Sequence, residues 1–212
     1  MPGIFSRVVL VSYRLAGSER IRSLIRRAAT AMEGGPARSL TIREIYRKYH
    51  GIEIGLYSAG PCRIKPVHMH RGTSIGRYAS IAESLRTFTR HHPRNLMSTH
   101  GFFYNPALGK VKGAPMKFNK LTIGHGACIG HNVIILHPAE KIGEGAVIAP
   151  GSVIYNNIPP YAIVSGNPAG VTGYRFSKEI IAELVASRWW EKSPAELAAA
   201  GGPVPNSEEH QA

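Results

Sequence analysis

Aspartate is absent from this chain: all 13 acidic residues among its 212 are glutamates. An imidazole that has to be held in one orientation is therefore expected to use a glutamate or a backbone carbonyl. Cysteine is almost as scarce, with Cys62 and Cys128 alone, which leaves no material for a disulfide framework and fits a reducing compartment. Long apolar runs are missing too. Val8-Val9-Leu10-Val11 is far too short to span a bilayer, and no signal peptide is recognisable, so a cytoplasmic protein is expected. No close-spaced set of His and Cys comparable to known zinc motifs occurs, so no metal is expected.

What is present is a repeat. Ile123, Ile129 and Ile135 are six residues apart, and so are Ile142, Ile148 and Ile154. Small residues recur four places after an isoleucine, at Ala127, Val133, Ala139, Ala146 and Ser152, and Gly124, Gly130, Gly143 and Ala149 follow isoleucines directly. Neither a helix nor a plain strand has this period; a six-residue repeat marks a parallel β-helix. Each hexapeptide is a strand and a turn, with isoleucine in a narrow prism and glycine at the corner. Ile135 to Ile142 is seven residues, so one corner near His137-Pro138 should bulge.

These hexads, followed by Ile158-Pro159-Pro160-Tyr161-Ala162-Ile163 and Gly166-Asn167-Pro168-Ala169, resemble the hexapeptide-repeat acyltransferases. The resemblance implies a mainly β fold, a left-handed parallel β-helix, with helical extensions at both ends. Met69, Ile75 and Ile81 are again six apart, so residues 51–82 read as the first, less regular coils. Residues 83–120 carry no hexad and read as an inserted loop rich in histidine and aromatics, a composition that disorder would not favour. That loop is similar to the one in the xenobiotic acyltransferase branch and in related sugar acetyltransferases. Arg175-Phe176, a helix over about 178–188 and Trp189-Trp190 resemble the end of the same branch.

The resulting organisation has a basic helical extension over 1–50 and a β-helix over 51–176. C-terminal helices follow over 177–200, and a disordered tail over 201–212. In the extension, a helix should begin near Ser18-Glu19, and Thr41 to Glu44 fits a capping box for a second short helix running to about His50. Once past Asn167-Pro168-Ala169 the chain should leave the prism.

Charge is uneven. Residues 1–120 hold 21 of the 26 Lys and Arg but only 5 of the 13 acids. A basic surface of this kind attracts polyanions, among them anionic lipid and cofactor phosphates. The helix carrying Arg20, Arg22, Arg26 and Arg27 could lie on an anionic membrane, which would put residues 1–33 at the inner face of the membrane; packed on the protein, it would hold its arginines in water. No nucleic-acid motif accompanies the charge, so nucleic acid is not an expected partner. A non-catalytic scaffold whose basic N-terminus binds membrane or nucleic acid is the rival class.

The resemblance implies a homotrimer that moves acetyl from acetyl-CoA directly to a hydroxyl, on a saccharide or glycan precursor or, alternatively, on an antibiotic. Such transfer needs a base for the hydroxyl proton, and histidine titrates near neutrality. His92, directly before Pro93, matches the family's base; His91 is the competing residue, and His100 shares the loop. Glu83 or a backbone carbonyl would have to orient the imidazole. For coenzyme A the family's contacts fall on Gly130, His131, Pro150, Gly151, Asn156 and Arg175. Tyr155-Asn156-Asn157 and Gly170 depart from the usual pattern, where basic residues for the phosphates are common.

Overall fold

The computed structural model describes residues 4–88, 92–108, 111 and 119–201. The tail expected over 201–212 lies outside this description from residue 202 onward.

Among the described residues, twelve short strands wind into three faces. In chain order they are β1 Glu53–Ile54, β2 Thr73–Ile75, β3 Ser80–Ile81, β4 Arg86–Phe88, β5 Leu121–Ile123 and β6 Cys128–Ile129. They continue as β7 Ile134–Leu136, β8 Lys141–Ile142, β9 Val147–Ile148, β10 Val153–Ile154, β11 Ala162–Gly166 and β12 Ala169–Tyr174. One sheet has the order β1-β2-β5-β8, a second β10-β7-β4 and a third β12-β11-β9-β6-β3. All pairings are parallel except β11 with β12. From β2 to β10 successive strands pass from face to face, and the fold is a left-handed parallel β-helix.

The hexad explains the packing. Ile123, Ile129, Ile135, Ile142, Ile148 and Ile154 are at most 2% exposed, and Ala127, Val133, Ala146 and Ser152 are fully buried beside them. Full burial of an isoleucine stabilises by about 1.5–3 kcal/mol, so these isoleucines, stacked Ile123 on Ile142, Ile129 on Ile148 and Ile135 on Ile154 on the three faces, are the main apolar support of the prism. At one corner, Gly55, Gly76, Gly124 and Gly143 lie over successive coils. A Cβ at any of them would come within 2.3–2.5 Å of the next coil's backbone. Glycine is required there by close approach. The extra residue between Ile135 and Ile142 is taken up in the turn at His137-Pro138, where Ala139 N donates to Leu136 O.

Three expectations change. The span read as free of hexads begins with a coil strand: β4 pairs with β7, placing Thr87 opposite Ile135. Thr87 occupies the isoleucine position six residues after Ile81, and its hydroxyl accepts from His70 N, so a polar side chain fills the apolar place. The chain also does not leave the prism at Pro168. It folds back as β12, antiparallel to β11, because the Gly166–Ala169 turn returns it to the open edge of the sheet. Finally, Thr41 caps nothing.

That last point concerns the helical extension, α1 Ile4–Leu15, α2 Glu19–Met32 and α3 Leu40–Ile45, the last continued by a wider turn to His50. Ser18 caps α2 and Ser39, not Thr41, caps α3. The Thr41 hydroxyl instead donates to Glu33, which also accepts from Ser39 and from the Thr41 amide. Burial would raise the Glu33 pKa, but these hydrogen bonds outweigh it and hold the carboxyl below its ordinary range. Leu10, Tyr13, Ile42, Ile45 and Tyr46 continue the prism's core into the helices. Arg43, 8% exposed, donates to the carbonyls of Pro36, Ala37, Ser39 and Gly55, joining helices to first coil. At the other end, α4 Lys178–Ser187 is capped by Ser177, and α5 Pro194–Ala199 has the Ser193–Glu196 capping box.

Candidate active site

His92 stands exposed in the segment after β4. Its Nδ1 lies 2.5 Å from the Tyr104 hydroxyl, with the two rings edge to face at 5.7 Å. Tyr104 is placed by a short helical turn, Gly101–Phe103, capped by His100, whose Nδ1 accepts from Phe102 N. When His92 carries its proton on Nδ1 and donates it to Tyr104, Nε2 keeps a free lone pair. A lone pair on an oriented imidazole is what a general base requires. The orienting group is thus a tyrosine, where Glu83 or a carbonyl was expected; Glu83 faces Arg63 at 3.5 Å. His91 lies outside the described residues. Sequence reasoning missed Tyr104 because its partner is twelve residues away across an irregular loop, with no periodicity to connect them.

Four candidate coenzyme A residues share one prism corner. Gly130 and His131 turn the chain between β6 and β7, and Pro150 and Gly151 turn it one coil later, with Gly151 N donating to His131 O. A Cβ on Gly130 would meet Pro150 at 2.7–2.8 Å, so this corner also demands glycine. Below them on the same corner, the Ser84 hydroxyl is 3.1 Å from His131 Nδ1 and accepts from Asn132 N. Asn156 is exposed at a second corner, after β10. Arg175 is at the third, donating to Gly145 O with its guanidinium over the rings of Tyr161 and Phe176. One chain therefore groups four of the six, and separates Asn156 and Arg175 from them.

The third corner carries a feature the sequence did not disclose. Trp189 donates to the Tyr161 hydroxyl and lies against Gly126, and Trp190 stacks on His125 at 4.7 Å. Arg77 donates to the carbonyls of Glu191 and Lys192, and Tyr78 donates to the latter as well. His125 Nδ1 accepts from Arg77 N, and burial holds its pKa below the ordinary histidine value. The C-terminal segment is thereby clamped along the corner formed by Gly76 and Gly124. His125 and His131 sit on different corners, and among the described residues no three His, Cys or Glu side chains converge as metal ligands would.

No family model matches the chain. A chloramphenicol acetyltransferase of Klebsiella aerogenes is 35% identical over 132 residues, covering 59% of this chain and 62% of the relative. A probable macrolide acetyltransferase of Lysinibacillus sphaericus is 33% identical over 130 residues, 58% of this chain and 71% of the relative. A dTDP-3-amino-3,6-dideoxy-alpha-D-galactopyranose 3-N-acetyltransferase of Aneurinibacillus thermoaerophilus is 42% identical over 60 residues, 28% of this chain and 31% of the relative. Among solved structures, a Vibrio cholerae hexapeptide-repeat acetyltransferase with acetyl coenzyme A overlaps 81% of this chain and 86% of its own, at 14% identity and a TM-score of 0.45. The match thus spans less than two thirds of the Klebsiella relative's length. The coils, the two closing motifs and the macrolide relative together assign it: this chain belongs to the hexapeptide-repeat acyltransferase family, with the chloramphenicol and macrolide acetyltransferases among its relatives.

Proposed function

We propose that the protein transfers acetyl from acetyl-CoA to a hydroxyl of a saccharide or glycan precursor, in the cytoplasm and as a homotrimer, with His92 as general base. The observation that carries this reading is His92 held by Tyr104 through Nδ1, which leaves Nε2 for the acceptor proton. The acceptor O–H gives its proton to Nε2 while its oxygen forms a bond to the thioester carbonyl carbon. The tetrahedral oxyanion then collapses, the carbon–sulfur bond breaks, and the departing thiolate takes the proton from His92. No acyl-enzyme forms.

The placement of the candidate cofactor residues supports an assembly of several prisms, read here as the trimer. Gly130, His131, Pro150 and Gly151 share one corner, which in this reading is one wall of the cofactor groove. Asn156 and Arg175, on the other two corners, would meet a cofactor on that wall from a neighbouring prism. Arg175 already serves Gly145 O, so phosphate contact would share or replace that bond.

An antibiotic hydroxyl is the second reading of the acceptor. It is favoured by the names of the relatives that cover most of this chain, as the sugar-nucleotide relative favours the first. An acceptor screen by mass spectrometry, with sugar nucleotides and glycans on one side and chloramphenicol and macrolides on the other, separates them. For the base, His92→Ala should lower kcat about 10²–10⁴-fold with little change in KM for acetyl-CoA. Full turnover in His92→Ala would overturn the mechanism. Light scattering should give three times the 23.0 kDa chain mass, and an active monomer would refute the shared groove.

A further inference from the structure

Helix α1 is apolar on two opposite faces, and only one of them is used. Ser6, Leu10 and Tyr13 are buried against the rest of the protein. At about 100° per residue, Ile4, Val8, Val11 and Leu15 fall within an arc of roughly 60° on the far side of the helix. They are 84%, 59%, 58% and 77% exposed, so this stripe contributes nothing to the core. An amphipathic surface helix ordinarily turns its polar side to water; here the outward side is the most apolar part.

Charge indicates the occupant. Arg7 and Arg14 are exposed and lie on one flank of the stripe, and the sequence of α1, IFSRVVLVSYRL, contains no acid. On α2, Arg20 and Arg27 are exposed as well, along with Ile21 and Leu24, at 50% and 63%. Its one acid within the helix, Glu19, is paired with Arg26 at 2.6 Å. The sequence expectation centred on α2, but Arg26 is bound to Tyr13 and Glu19, and α2 packs through Ala29 and Ile25. The apolar stripe belongs to α1.

We propose that α1 is a docking surface for an anionic lipid bilayer, with Ile4, Val8, Val11 and Leu15 entering the headgroup boundary and Arg7 and Arg14 meeting lipid phosphates. A helix that lies in the interface buries its apolar face at the acyl boundary while cations stay at headgroup level. The inference goes beyond acetyl transfer and does not depend on it, since its test uses neither acyl donor nor acceptor.

The experiment is co-sedimentation of the full chain with phosphatidylcholine vesicles, with and without phosphatidylglycerol. Wild-type protein should pellet with the anionic vesicles and be released by salt. Arg7→Gln/Arg14→Gln should weaken binding roughly tenfold or more, because each basic residue near an anionic surface contributes about fivefold. Val8→Glu/Val11→Glu should abolish it with the thermal melt unchanged, since both side chains are solvent-facing. Wild-type protein left in the supernatant would overturn the proposal, as would pelleting of the glutamate variant. Loss of oligomeric mass in that variant would also overturn it, assigning the stripe to a second copy of the chain.

Discussion

Tyr104→Phe removes the hydroxyl 2.5 Å from His92 Nδ1 and leaves the ring that meets the imidazole edge at 5.7 Å. A hydrogen bond of this kind has a net worth of about 0.5–1.5 kcal/mol, or roughly 2- to 13-fold in rate. His92 is exposed and Tyr104 half-buried. Water can replace the lost partner in part, so a fall in kcat of about two- to fivefold is expected. KM for acetyl-CoA should be unchanged, because the hydroxyl orients the imidazole and touches no cofactor residue. The decisive assay is a double-mutant cycle. If Tyr104 acts through His92, its removal in the His92→Ala background should change nothing further. An equal fall in both backgrounds, or a higher KM with intact kcat, would refute the positioning role.

Arg43→Ala should lower stability by about 3 kcal/mol, since the Pro36 and Gly55 carbonyls lose their guanidinium donors. Ala37 O keeps Tyr57 N, so its loss is smaller. Differential scanning calorimetry should show Tm reduced by roughly 6–12 °C, and a fall under about 1 °C would contradict the clamp. Burial depresses the pKa of His50 and of His125 below 6.5. The unfolded chain then binds more protons, so their contribution is complete above 6.5 and lost as pH falls through the lower folded values. Burial also raises the Cys62 thiol from 9.0 to about 11, a contribution complete below 9.0 and lost as pH rises toward 11. Urea titrations across pH should show both limbs; flat stability below neutrality would refute the first, and flat stability above pH 9.0 the second.

Read from the sequence, the β-helix was legible because its rule is local: an isoleucine every six residues, a small residue four places on, and glycine where coils touch. Each hexad repeats the same environment, so the pattern survives without knowledge of the neighbours. Thr87 escaped the pattern because a hydroxyl held by His70 N replaces the apolar side chain, and hydropathy cannot register that exchange. The helix starts at Ser18, Ser177 and Ser193 were legible for the same local reason. Thr41 misled because Glu33, eight residues back, competes for its hydroxyl.

The candidate site divides along the same line. His92 could be named as a candidate because the step to Pro93 resembles the family's loop motif. Its partner Tyr104, the grouping of Gly130 with Pro150, and the separation of Arg175 from both depended on which corner each turn occupies. Corners are set by the cumulative winding of the coils, including the longer step between Ile135 and Ile142. The outward face of α1 was equally hidden. Leu10 and Val11 look alike in sequence, but packing on α2 and α3 buries one and leaves the other in solvent. Local spacing determined the elements, and the resemblance of one loop motif named a candidate base; the long-range packing of helices and coils decided what each side chain meets.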